Sequence, residues 1–318
     1  MHHGLLAYLS PMFDKQSLTK SMPHISVCIC TYKRPQPLMR LLEDLGRQDT
    51  GGLFTYSIVV ADNDHLRSAE PVTLSFAAAS GIAVKYCTEP RQNIALARNK
   101  AIENADGDLV AFIDDDEFPA RDWLVVLFKA WLNYRVDGVL GPVKPYFDDK
   151  PPKWIIKGKF YQRPTYPTGT VVEWGKGRTG NLLVKKQLFA DADFPFRPEF
   201  RAGEDQDFFR RMIERGHVFI WCDEAIAYEV VPAMRWKRWY MLRKALLRGA
   251  TAVLHPTFGA GATAKSVIAV LIYTCALPFA LLLGHHRFMT LLVRLFDHLG
   301  KLLALLGINP IRAQYVTD

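Results

Sequence analysis

The sequence predicts an α/β fold, with a mainly parallel central sheet, flanking helices, and a C-terminal helical membrane-associated tail. Three observations carry this. Four short apolar runs, "ISVCIC" (25–30), "SIVVAD" (57–62), "IAVKYC" (82–87) and "DLVAFID" (108–114), have the length and β-branched content of buried strands. Helical patterns at roughly 36–48, 68–80 and 94–105 separate them, and such β-α alternation builds parallel sheets covered on both faces. Beyond residue 232 the composition changes to basic, aromatic and then apolar stretches.

The elements follow in order. Asn93 stands just before the third helical pattern and is expected to cap it. After residue 115 come a helix at about 122–134, the run "GVLGPV", and an irregular loop over 142–168 rich in Pro, Lys and aromatics. A strand run "GNLLVK", an acidic turn "GEDQDF", a helix to about 215 and a strand "HVFIWCD" complete the domain. The expected organisation is an N-terminal extension (1–23), an α/β domain (24–232) and a helical tail (233–318).

Composition bounds the function. With 318 residues, 49% of them hydrophobic, the chain can bury a full core and is not disordered. Net charge +8 favours anionic partners. The five cysteines (28, 30, 87, 222, 275) form no CxxC pair, so reduced thiols are expected rather than a zinc site. No basic segment precedes the apolar residues of "MHHGLLAYLSPMF", so this stretch is not read as an export signal. The α/β domain is therefore expected at the cytoplasmic face of the inner membrane.

The tail supplies the membrane. "RWKRWYMLRKALLR" (235–248) carries six cations, no acid, and Trp236, Trp239 and Tyr240, which suits an anionic lipid surface. "VIAVLIYTCALPFALLL" (267–283) is uncharged, only 17 residues long and interrupted by Pro278, at the lower limit for crossing a bilayer. "FMTLLVRLFDHLGKLLALL" (288–306) is amphipathic. The plainer alternative is a helical cap packed on the domain. Nucleic acid is not an expected partner, because the basic stretch adjoins an apolar tail rather than a recognition module.

In open α/β sheets, ligands bind beyond the carboxyl ends of the strands. There the fourth run ends in Asp114, Asp115, Asp116 and Glu117. Carboxylates this close repel one another unless a cation shares their charge. Mg²⁺ or Mn²⁺ takes oxygen ligands, often one or two carboxylates plus substrate phosphates. Asp114 and Asp116, sharing a face if the chain is extended, fit that role, and a solvated acidic turn is the alternative. "AGEDQDFFRRM" (202–212) opens a helix with Glu204 and Asp205, either as dipole-favoured acids or as a general base. Arg98 is placed to neutralise a diphosphate or to make a surface ion pair. "CICTYKRP" and "VVADND" end two further strands in Thr31–Arg34 and Asp62–Asp64.

Together these segments resemble the family 2 glycosyltransferases of GT-A fold. "ISVCICTYKRP", "VVADND", "NIALARNKAIENADGDLVAFIDDDE", "RTGNLLVKK" and "GEDQDFF" match that family's successive motifs over about residues 24–250. "VLGPV", "RTGN" and "YEVVP" resemble bacterial exopolysaccharide glucosyltransferases of the succinoglycan type.

The resemblance implies a GT-A nucleotide-diphospho-sugar transferase fold and an inverting sugar transfer. The donor it implies is UDP-glucose, and the acceptor a lipid-linked saccharide. Thr31, Tyr32, Arg34, Asp62, Arg98, Asp114 and Asp115 would bind the nucleotide sugar. Asp114 and Asp116 would hold Mg²⁺ or Mn²⁺. Asp205, supported by Glu204, would be the base, and Trp174, Asn181 and Glu229 would face the acceptor. Relatives often carry His where Glu229 stands.

Three alternatives remain. A processive synthase would carry Gln-x-x-Arg-Trp, but residues 235–239 begin with Arg. A non-catalytic membrane-bound assembly protein would keep the fold without the chemistry. A dinucleotide oxidoreductase lacks its GxGxxG after the first strand.

Overall fold

The computed structural model describes residues 22–190, 195–200, 203–254 and 258–308. Most of the extension expected at 1–23 lies outside these residues. The first half is regular β-α alternation: β1 (His24–Thr31), α1 (Pro35–Leu45), β2 (Thr55–Asp62), α2 (Glu70–Ser80), β3 (Val84–Thr88), α3 (Ile94–Glu103) and β4 (Leu109–Phe112). Asn93 caps α3 as expected, its side-chain oxygen accepting from the backbone N–H groups of Ala95 (2.9 Å) and Leu96 (3.3 Å). Then follow β5 (Glu117–Pro119), α4 (Trp123–Tyr134), β6 (Gly138–Leu140), β7 (Val143–Tyr146), α5 (Lys153–Lys157), β8 (Leu182–Lys185), α6 (Glu204–Glu214), β9 (Phe219–Trp221) and β10 (Ala227–Val230).

The main sheet has the order β3-β2-β1-β4-β8-β6-β9. All its pairings are parallel except those of β8, which runs antiparallel to β4 and β6. A smaller sheet, β5-β10-β7, stands beside it. Period-2 alternation divides the core between two faces. Ile25, Val27 and Ile29 of β1 pack with α1, α2 and α4 on one face. Cys28 points to the other, with α3, α6 and the aromatic group Phe196, Phe208 and Phe209. All five cysteines are free.

The tail differs from its expected outline. A 3₁₀ turn (Ala233–Trp236) leads into α7 (Arg238–Ala252), then α8 (Ala260–Leu282) and α9 (His285–Leu305). Helix α8 has 23 residues and continues through Pro278, so it is longer than the expected 17-residue run. That is long enough to cross a membrane, and its most apolar window is 11% buried. Helices α7 and α9 cross closely because Gly249 faces the backbone of Asp297 and Gly300 faces that of Leu246. A Cβ at either glycine would lie within 2.0 and 2.3 Å of a carbonyl oxygen.

Candidate active site

The carboxyl ends of β1, β2 and β4 converge, with Thr31 opposite Asp62 in register. Strand β4 stops at Phe112, so the acidic residues lie in a turn closed by the Glu117 N–H donating to the Asp114 carbonyl (3.0 Å). The acids thus lie in a turn rather than an extended chain, and each takes its own partners. The Asp114 carboxylate faces the Arg98 guanidinium (3.6 Å), with 45% of the side chain open to solvent. Asp115 is buried, accepting from the Thr31 hydroxyl (2.8 Å) and from Arg34 (3.1 Å). Asp116 accepts from Arg34 (3.2 Å) and Arg235 (2.8 Å).

These positions shift the acids. Burial pushes the Asp115 carboxyl up to about 7, with Arg34 opposing and Asp116 adding to the rise. Asp114 is raised as well, by desolvation among the groups crowded around the turn, with Arg98 opposing and Asp116 adding. Glu117 is raised by burial and then by Asp114. Its Oε2 accepts the Asp114 N–H (3.2 Å), while its buried Oε1 has no hydrogen-bond partner.

Arginines from distant segments hold the cluster together. Arg98, 7% exposed, donates to Glu204 and also faces Asp114. Glu229 on β10 is bound by Arg163 and by Arg235 (2.9 Å). The Arg98 bridge joins the acidic turn to the start of α6, where Gly203 (φ +85°) turns the chain into the helix. Glu204 therefore points inward, and its carboxyl is raised by burial with Arg98 opposing. Its neighbour Asp205 lines a cavity of about 880 Å³ together with Trp174 and Arg178.

Several expected contacts turn out to be framework. Asp62 is fully buried and accepts from the N–H groups of Asp64 (3.0 Å) and Ala69 (2.8 Å) and from the Tyr86 hydroxyl (2.9 Å). It fixes the loop after β2 instead of presenting its carboxylate to a ligand. Thr31 is likewise spent on Asp115. Tyr32 and Arg34 do reach a cavity, of about 710 Å³, with Asp116 and Arg235 on its wall.

Asn181 corrects the acceptor set. It is fully buried with φ +66°, donates to the carbonyls of Pro142 (2.9 Å) and Ala225 (2.7 Å), and accepts from Trp123 Nε1 (2.7 Å). Its side chain ties three loops together and is out of reach of a substrate. Most of the 152–174 aromatics pack locally: Trp154 on Phe160 and His285, Tyr166 on Trp221, and the Tyr161 hydroxyl donates to the Arg235 carbonyl (2.5 Å).

The donor set suits a hard divalent cation. It consists of carboxylate oxygens, and the orphaned Glu117 Oε1 lies beside the Asp114 carboxylate. Gly180 keeps this place open, since a Cβ there would stand 2.8 Å from Glu117 Oε1 and 3.1 Å from Asp114 Oδ2. Among the described residues no group of three or more His, Cys, Asp or Glu forms a complete cage. A site of one or two protein carboxylates leaves the remaining positions to phosphate and water.

Sequence reasoning missed Arg163, Arg235, Glu117 and Gly180. Arg163 lies in an aperiodic loop, and Arg235 belonged to the tail's basic run. Only the repulsion within the acidic run pointed to Glu117, and nothing in the sequence marked Gly180.

Comparison with known proteins gives the family and the fold. The glycosyl transferase family 2 model matches residues 26–186. The succinoglycan biosynthesis protein ExoM of Rhizobium meliloti is 30% identical over 230 residues, 72% of this chain and 74% of ExoM. Among solved structures, the mannosyltransferase PcManGT of Pyrobaculum calidifontis, in complex with GDP-Man and Mn²⁺, superposes with a TM-score of 0.60. It is 18% identical and covers 90% of this chain and 88% of its own. The 1–349 fragment of S. aureus TarS in complex with UDP has a TM-score of 0.52 at 17% identity, covering 91% and 93%. The match extends over 43% of a longer TarS chain.

Proposed function

The chain belongs to glycosyl transferase family 2 and is a glycosyltransferase of GT-A-like fold; we propose that it moves a sugar, glucose from UDP-glucose, onto a lipid-linked saccharide. The transfer would take place at the cytoplasmic face of the inner membrane, in exopolysaccharide synthesis of the succinoglycan type. One observation carries the reading: Arg98 bridges Asp114 and Glu204, which sets the acidic turn beside Asp205 at a cavity mouth. The ExoM likeness supports the pathway, and the UDP and GDP-Man complexes of the structural neighbours support the donor class.

In this reading Asp114 and Asp116 would hold Mg²⁺ or Mn²⁺, which supplies charge compensation for a departing diphosphate. Arg98 would meet the same phosphates, and it faces Asp114. Tyr32 and Arg34 line the nucleotide side. Asp205 takes the proton of the acceptor hydroxyl. That oxygen forms the new bond to the anomeric carbon as the bond to the diphosphate breaks, so a single displacement inverts the centre. Trp174, on the wall beside Asp205, offers a flat face to an acceptor sugar. Glu229 orients Arg163 and Arg235. The exposed apolar side of α8 would attach the enzyme to the bilayer.

The test is a panel of nucleotide sugars with Mn²⁺, following release of nucleoside diphosphate from the full chain. The reading expects UDP release from UDP-glucose above the other donors, lost with EDTA. A folded, membrane-bound protein that releases nothing from any donor would instead be a non-catalytic assembly protein.

A further inference from the structure

The 880 Å³ cavity beyond Asp205 is walled by both the α/β domain and the tail. Its charged lining is lopsided: Arg178, Arg248, Lys265, Arg294 and Lys301 stand against Asp205, the one acid among the described lining residues. Arg248 and Lys301 share a single carboxylate behind the wall, Asp297, at 2.6 and 2.7 Å. Arg178, Lys265 and Arg294 make no ion pair or hydrogen bond with any described residue. Three cations facing one space, with Asp205 the one carboxylate among its described lining residues, form a focused positive field. Such a field costs stability unless an anion or water shares it.

The flanks of the cavity are chemically distinct. On one side are Asp205 and Trp174. On the other, Lys265 and Ser266 belong to α8, whose next residues Val267 (46% exposed), Ile268 (56%), Leu271 (64%) and Ile272 (58%) are open apolar surface. Sugar-facing groups, a cationic chamber and an apolar helix thus follow one another across the molecule.

We propose that this cavity is an anion site for the phosphate end of the acceptor, an apolar chain carrying a phosphate or diphosphate joined to its saccharide. The chain lies along α8, the phosphates sit among Lys265, Arg294 and Arg178, and the saccharide points to Asp205. This rests on the transferase reading and names what the acceptor must carry. It also explains why a domain with its own complete core holds the tail in this position. Without the tail, the acceptor's charge would have only Arg178 to meet.

Farnesyl diphosphate is the probe, titrated calorimetrically into the full chain in neutral detergent with EDTA, which disfavours cation-dependent binding at the donor site. Lys265→Gln/Arg294→Gln should weaken it about tenfold or more, as the loss of charge-assisted contacts predicts. Lys265→Arg/Arg294→Lys should restore it. Farnesol should bind wild type and variant equally, and inorganic pyrophosphate should bind more weakly than farnesyl diphosphate. Equal affinity of farnesyl diphosphate for wild type and the Gln variant overturns the proposal. So does binding of phosphatidylglycerol vesicles through these two cations when farnesyl diphosphate ignores them, which assigns the cavity to a lipid headgroup. UDP binding with Mn²⁺, measured on the same samples, tests the donor reading separately. It should be unchanged in the Gln variant.

Discussion

The acidic turn and the tail cavity, which has Asp205 on its wall, handle charge in opposite ways. At the turn and the segments braced against it, Asp114, Asp115, Asp116, Glu204 and Glu229 each face a guanidinium from Arg34, Arg98, Arg163 or Arg235. In the cavity, Lys265, Arg178 and Arg294 line the wall with no ion pair among the described residues. A ligand entering the turn must exchange places with ion pairs already made. A ligand entering the cavity meets three cations that no described carboxylate pairs. The first arrangement compensates a dense acidic cluster within the folded chain. The second leaves attraction unspent for binding.

The largest expected effects are chemical. Asp205→Asn should lower kcat by about 10²–10⁴-fold with little change in donor affinity, as for loss of a general base. Steady-state kinetics with saturating donor checks this, and unchanged kcat would move the base elsewhere. Next comes the buried pair. Arg98→Ala strips Glu204 of its partner in a site where both side chains are under 10% exposed, and should cost about 3–5 kcal/mol in a denaturation experiment. Adding Glu204→Gln should return part of that stability but not the activity, which separates folding from catalysis.

A smaller effect tests the corrected role of Asn181. Asn181→Ala leaves the buried Trp123 N–H and two carbonyls without their partner, and should cost about 1–3 kcal/mol. KM for the acceptor should hold in the folded fraction; a raised KM with normal stability would return Asn181 to the acceptor set. The smallest effect sharpens the contrast itself. Lys265→Gln/Arg294→Gln should change stability by no more than about 0.5 kcal/mol, since neither side chain has an ion-pair or hydrogen-bond partner among the described residues. A large loss there would mean the tail cations are structural, like those of the turn.

Local signals were legible in the sequence. The strand runs and helix periods gave β1 to β4 and α1 to α3 to within a few residues, because the parallel sheet buries both faces and leaves continuous apolar runs. The Asn93 cap and the crowding of acids after β4 were visible for the same reason: their causes lie within a few residues. What depends on distant pairing was not. Arg235 meets Asp116 across 119 positions and Arg163 meets Glu229 across 66, and no periodicity encodes either. Asp62 and Asn181 look like exposed strand-end polar residues, yet loop closure turns both inward. Pro278 looked like a break, but helical residues on both sides carry α8 through it. The antiparallel β8 within a parallel sheet was equally silent, since its apolar run reads the same in either direction.

The proposed function requires the acidic turn, braced by Arg98, to bind a nucleoside diphosphate through a divalent cation. The most direct measurement is a calorimetric titration of UDP into wild type and Asp114→Asn/Asp116→Asn, each with Mn²⁺ and with EDTA. Binding by wild type that needs Mn²⁺ and disappears in the double variant is the predicted result. UDP binding of equal strength in all four conditions would contradict it.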